Sequence, residues 1–192
     1  MNFATLDVLD KNLSRDYQTN INAIPEHRFA FYKEELMLDP NYWSSYYEQL
    51  SKYNFNWTEF KYLDVALGKI NINNIISQDY TGVYLFIVKG NQLIYDLPKF
   101  VLYVGIAGEN DSARSLRERL SDYFHIEQIK KRGKVHSLLK KYYNNVYIAF
   151  SYIQKPSEEL KNIEKYLHGF FYPIYCERDF PIELKQLRKA FP

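Results

Sequence analysis

Residues 81 to 107 read TGVYLFIV (81–88), KGNQLIYDLPK (89–99) and FVLYVGIA (100–107). The outer two runs are rich in β-branched and aromatic residues, and the connection between them carries Gly-Asn and a proline. Together they predict a β-hairpin with a long tip. Downstream, GENDSARSLRERLSDYF (108–124) offers Asp111 or Ser112 as a helix cap and an apolar stripe of Leu116, Leu120 and Phe124. Basic residues and Gly133 then lead into a short helix, HSLLKKYY (136–143). A third β-run, NVYIAFSYI (145–153), precedes a helix that begins near Pro156 and Ser157 and stops before FYPIY (171–175).

Upstream the texture is helical. From about Arg28 to Tyr53 the apolar residues Phe29, Tyr32 and Leu36, then Tyr42, Tyr46, Tyr47 and Leu50, recur at helical spacing, which predicts two helices split near Pro40. Asn56 to Ile76 reads as one more helix, with Phe60, Leu63, Leu67 and Ile70 on one face. The expected class is therefore α+β. A helical extension over 1–79, serving recognition or dimerisation, would precede a β, β, α, α, β, α domain over 80–192.

Length and composition narrow the function. A chain of 192 residues supports one domain with a helical extension but hardly two independent domains. With 19 Tyr and 13 Phe, aromatic residues must build the core. The single cysteine, Cys176, excludes an internal disulfide and a multi-cysteine zinc site. The histidines His27, His125, His136 and His168 lack zinc-ligand pairing. The amino terminus carries acids where a signal peptide would carry bases, and no apolar run approaches the roughly 18 residues of a membrane span. A cytoplasmic protein with no membrane partner is expected.

Charge is uneven. Residues 1–80 hold 7 Lys+Arg against 11 Asp+Glu, leaving 18 against 12 for residues 81–192. The surplus concentrates in Arg114, Arg117, Arg119, Lys130, Lys131, Arg132, Lys134, Lys140 and Lys141. Such a cluster can neutralise phosphates and release counterions, although a solvated helix face would satisfy the charge pattern equally well.

Common catalytic signatures are absent: there is no GxxxxGK[ST], no GxSxG and no HExxH. What stands out is Gly82-Val83-Tyr84 on the first strand, Tyr103-Val104-Gly105 on the second, Arg119 on the next helix and Glu164 on the last. On a helical wheel Glu164 lies at the edge of an arc formed by Leu160, Ile163, Leu167, Phe170 and Phe171. A carboxylate held against a core needs a cation, an arginine partner or a raised pKa. Arg119 lies on the same flank as Tyr123 one turn later, so the two can share a target.

In this order and context the four elements resemble the GIY-YIG nuclease superfamily over residues 80 to about 178. The run Arg119-Leu120-Ser121-Asp122-Tyr123-Phe124 is similar to the RLxxYF run of its excision-repair members, and the order Glu164, Leu167, Pro173, Tyr175 follows the family's spacing. Two positions depart from the pattern: Cys176 stands where an Asn often follows, and Ile106 where a Lys often follows YxG. The connection from Tyr103 to Arg119, containing GENDSAR, is longer than in the repair nucleases and resembles the restriction endonucleases of the superfamily.

The resemblance implies a small antiparallel three-stranded sheet flanked by helices and a metal-dependent hydrolysis of DNA phosphodiesters, of restriction or defence type. Glu164 would be the sole protein carboxylate on Mg²⁺ or Mn²⁺. Tyr84 would act as general base, as a phenolate if its pKa fell by about three units with help from Arg119 and the metal. Arg119 would stabilise charge developing on the phosphoryl oxygens. Tyr103 would orient water or phosphate, and Tyr123 or His125 would stand near the leaving side. Arg114, Arg117, Lys130, Lys131, Arg132, Lys134, Lys140 and Lys141 would hold the DNA backbone. One site per chain and double-stranded DNA as substrate would favour a homodimer. A non-catalytic nucleic-acid-binding or protein-interaction module on the same scaffold is the competing expectation.

Overall fold

The computed structural model describes Thr5, Leu9 and residues 40–90, 99–108, 114–176, 180–182 and 184–185. The hairpin forms: β2 (Gly82–Lys89) pairs antiparallel with β3 (Lys99–Ala107), with a register shift between Phe86 and Ile87. Its tip and the helix expected before Pro40 fall outside the described residues, and the helix expected to start at Asp111 or Ser112 is capped by Ser115 instead, whose side chain accepts from Glu118 N. On its other side β2 pairs antiparallel with β4 (Val146–Tyr152).

The sheet has four strands rather than the three expected. Thr58–Lys61 forms β1, antiparallel to β4 with Phe60 opposite Ile148, giving the order β1-β4-β2-β3. The apolar spacing of this segment predicts the start of a helix instead. The difference has two physical causes: the open edge of β4 takes up a strand, and the left-handed Gly68, at φ 71°, ends the short α2 that follows (Tyr62–Ala66). Leu67 and Ile70, predicted on the buried face of that helix, are 51% and 41% exposed. The sheet thus runs across the boundary expected at residues 79 and 80.

Helix α1 (Pro40–Leu50) is the second helix of the predicted pair, and α3 (Ile72–Ile75) completes the described elements before the hairpin. After it come α4 (Leu116–Ser121), a 3₁₀ turn over Asp122–Phe124, α5 (Ile126–Ile129), α6 (Gly133–Tyr142) and, beyond β4, α7 (Ser157–Phe171). None of the described helices is long and apolar enough to cross a membrane.

Alternation along β2 divides the interior. Tyr84 and Phe86 point into one core with Phe60, Tyr62, Leu116, Leu120, Tyr123, Phe124, Leu138, Leu139 and Phe150. Val83, Leu85 and Ile87 point into the other with Val104, Ile106, Leu160, Ile163 and Leu167, so α7 covers the face opposite Tyr84. Coverage on both faces explains why β2 is apolar at almost every position instead of alternating.

Candidate active site

A hydrogen-bonded tyrosine and arginine group lies on the Tyr84 face. Tyr84 Oη is 2.7 Å from Tyr123 Oη, and Arg119 Nε donates to Tyr84 Oη at 3.2 Å. Tyr103 stands beside them, with its ring centroid 6.2 Å from that of Tyr84 and 6.5 Å from that of Tyr123, and edge-on to Phe86 at 5.6 Å. Tyr84 and Tyr123 are both 0% exposed, whereas Tyr103 is half-buried.

Each member is held by its own element. Gly105 faces Tyr84 across the β2–β3 ladder, and a Cβ there would overlap the Tyr84 hydroxyl end. The glycine of the second strand motif therefore provides the space in which the tyrosine of the first lies. Arg119 sits in the last turn of α4, whose start is fixed by a capping box: Ser115 Oγ accepts from Glu118 N at 3.3 Å and Glu118 Oε2 accepts from Ser115 N at 3.1 Å. Leu116 and Leu120 anchor that helix in the core. Tyr123 is carried by the 3₁₀ turn, and Tyr62 Oη donates to its carbonyl at 2.9 Å.

Burial dominates the electrostatics. Desolvation, followed by the neighbouring Tyr123, raises the Tyr84 phenol well above the ordinary value of 10.0, and Arg119 pulls it only part of the way back. Tyr103 is raised by burial and then by Tyr84 and Tyr123. Arg119 is pushed further above its usual value, chiefly by its closeness to Tyr84, and stays charged. With the protein's own groups alone, Tyr84 is thus a neutral phenol at neutral pH.

The group unites Tyr84, Tyr103, Tyr123 and Arg119. Glu164 is carried by α7, across the sheet, where it is half-buried on the helix flank between Leu160 and Leu167. His125 forms the junction of the 3₁₀ turn and α5 and lines a groove with Ile70, Ile72 and Phe124. Among the described residues no three His, Cys, Asp or Glu side chains are grouped to hold a metal ion. Glu164 is a half-buried carboxylate, and a single carboxylate ligand suits a cation that keeps most of its hydration shell.

The basic residues divide by their partners. Arg117 pairs with Asp79, and Arg114 and Arg132 both pair with Asp122. Lys130 pairs with Glu127 at 3.1 Å, Lys131 is exposed, Lys134 and Lys140 are half-buried, and Lys141 lies 5.4 Å over the Tyr142 ring. At the two positions that depart from the family pattern, Ile106 is buried in the α7 core, and Cys176 Sγ accepts from Val104 N at 3.3 Å. That contact ties the segment after α7 to the edge strand.

Two contributors escaped sequence reasoning. Tyr62 lies off the apolar face predicted for 56–76, and nothing in its spacing points to Tyr123, 61 residues away. Asp122 was visible only as a variable position inside RLxxYF, and its arginine partners lie 8 and 10 residues off. Comparison with family models, with curated proteins and with solved structures finds no match for this chain.

Proposed function

We propose that the chain is a metal-dependent DNA endonuclease of the GIY-YIG type, hydrolysing phosphodiester bonds in a restriction or defence setting. One observation carries the reading: the tyrosine of GxY, the tyrosine of YxG, and the arginine and tyrosine of the RLxxYF run come together on one sheet face, two of the phenols 2.7 Å apart. Tyrosines scattered by composition alone have no reason to converge on a charged arginine in a core.

In this reading Arg119, fixed by Tyr84 and permanently charged, donates to the phosphoryl oxygens as charge develops on them. Tyr103, the most exposed of the three phenols, orients the water or the phosphate. Tyr84 holds its proton in the protein alone and takes up the base role only where further positive charge is brought near. Glu164 would hold Mg²⁺ or Mn²⁺, and such an ion would supply the Lewis acid that polarises the phosphate. The lysines from 130 to 141 hold the DNA backbone, and two copies of the chain would cut both strands.

The second reading is a non-catalytic binding module on the same scaffold. The complete burial of the Tyr84 hydroxyl, with both of its partners inside the protein, favours it. Plasmid and phage DNA incubated with wild-type protein, Glu164→Ala and Tyr84→Phe, each with Mg²⁺, with Mn²⁺ and with chelator, separates the two. Metal-dependent fragments lost in both variants support the nuclease. DNA binding without cutting by all three supports the module.

A further inference from the structure

Asp122 is 8% exposed and receives two guanidinium groups on one oxygen: Arg114 Nη2 lies 2.6 Å and Arg132 Nη2 3.1 Å from Oδ2. Arg132 in turn lies over the Tyr123 ring, its Cζ 4.7 Å from the centroid. Its Nη1 is buried and has no hydrogen-bond acceptor among the described residues. A guanidinium left to itself would turn that donor toward an oxygen or toward water. Here the carboxylate holds it against the ring instead.

Tyr123 is consequently restrained on several sides. Arg132 lies on its face, Phe86 meets it edge-on at 4.9 Å, and Tyr62 bonds its carbonyl. What remains is its hydroxyl, which is directed at Tyr84 Oη, the atom that also receives Arg119 Nε. The three consecutive residues of the 3₁₀ turn face three different ways. Asp122 meets the arginines, Tyr123 meets Tyr84, and Phe124 enters the core, where it stacks on Tyr62 at 4.9 Å.

We propose that Asp122 is a positioning residue: by pinning Arg132 over the Tyr123 ring it fixes the Tyr123 hydroxyl against Tyr84, and through Tyr84 it sets the Arg119 guanidinium. Its consequence for catalysis rests on the nuclease reading, whereas the positioning itself does not. Removing a group that orients a metal ligand costs roughly 10–100-fold in activity, and a loss of the same order in kcat is expected for Asp122→Asn, with KM for DNA unchanged. Asp122→Glu keeps the charge and should restore part of the rate.

The test pairs cleavage kinetics with ¹H–¹⁵N spectra of the arginine Nε–H groups in wild type, Asp122→Asn and Asp122→Glu, all confirmed folded by backbone amide spectra. In wild type the Arg132 Nε–H signal should be displaced upfield by the Tyr123 ring. In Asp122→Asn it should return toward the free-arginine position, and the Arg119 Nε–H signal, on the far side of two phenols, should move as well. A local ion pair of purely structural use would leave Arg119 in place. Unchanged Arg119 and Arg132 signals in Asp122→Asn overturn the positioning, and unchanged kcat in an active enzyme overturns its catalytic consequence. A wild-type protein that cuts no DNA removes the nuclease reading instead, and the spectra then decide the positioning alone.

Discussion

Tyr84 and Tyr123 share a hydroxyl-to-hydroxyl hydrogen bond of 2.7 Å in a part of the protein where neither side chain meets solvent. The two residues come from a strand and a 3₁₀ turn 39 positions apart, and Arg119 donates to the first of them. Tyr84→Phe removes one oxygen and leaves the Tyr123 hydroxyl and the Arg119 Nε–H each short of a partner. Stability should fall by roughly 1–3 kcal/mol, the ordinary cost of orphaning buried polar groups. Cleavage should fall about 10²–10³-fold, as for removal of a group that supports charge development in the transition state. Urea unfolding and single-turnover cleavage measure the two losses separately, and a full-rate Phe variant would exclude Tyr84 from the chemistry.

Gly105→Ala tests the strand motif from the other side. The added Cβ would fall on the Tyr84 hydroxyl end, and a ring fixed between Phe86, Tyr103 and Tyr123 has little room to withdraw. Overpacking of this kind costs about 1–3 kcal/mol. Because the collision is at the hydroxyl, activity should suffer more than the stability loss explains. Comparing the fraction folded at the assay temperature with the residual cleavage rate decides the point.

The raised phenols give stability a particular pH dependence. Tyr62, Tyr84 and Tyr103 each have a folded-state pKa above the unfolded value of 10.0, burial being the first cause in every case. The unfolded chain therefore loses these protons first as pH rises. The stabilisation is fully present below about pH 10 and is lost progressively above it, toward the raised folded-state values. Urea midpoints should hold steady for these groups at neutral pH and decline in the alkaline range. Tyr84→Phe, starting lower, should show a shallower decline, and parallel curves would mean that Tyr84 does not supply the dependence.

The elements that sequence reasoning located are those with strong local signals. The apolar runs of β2, β3 and β4 and the amphipathic α7, with Pro156 at its start, have signals longer than the noise of composition. Thr58–Lys61 has none: four residues, alternating weakly, become a strand because β4 offers an edge and Phe60 finds the core beside Phe124 and Phe150. The site divides in the same way. Tyr84, Tyr103, Arg119 and Tyr123 were legible because the order of motifs along the chain singles them out. The neutral state of Tyr84 was not, since desolvation is a property of the assembled core and here outweighs Arg119. Tyr62 and Asp122 act over sequence separations that no periodicity records.

Tyr62→Phe addresses the contribution of the segment before the hairpin. Its hydroxyl donates to the Tyr123 carbonyl at 2.9 Å, while its ring stacks on Phe124 and meets Tyr143 edge-on at 5.8 Å. The Phe variant keeps the rings and removes the donor, so the stability loss should be about 1 kcal/mol, a single net hydrogen bond. If that bond also steadies the 3₁₀ turn, cleavage should drop while DNA binding is retained.

Under the proposed function, lysine variants should separate DNA holding from chemistry. Lys130, Lys131, Lys134, Lys140 and Lys141 follow one another from the end of α5 through α6. If the lysines meet phosphates, each Lys→Gln change should reduce the slope of log K against log salt by about 0.9 on duplex DNA, and the changes should add. Fluorescence anisotropy over a sodium chloride series gives the slope directly. Turnover at saturating DNA should stay constant in these variants, because the lost interaction holds ground state and transition state alike. A lysine variant with an unchanged slope marks that side chain as solvated surface, and one with lowered kcat places it nearer the scissile phosphate than its position beside α5 or on α6 implies.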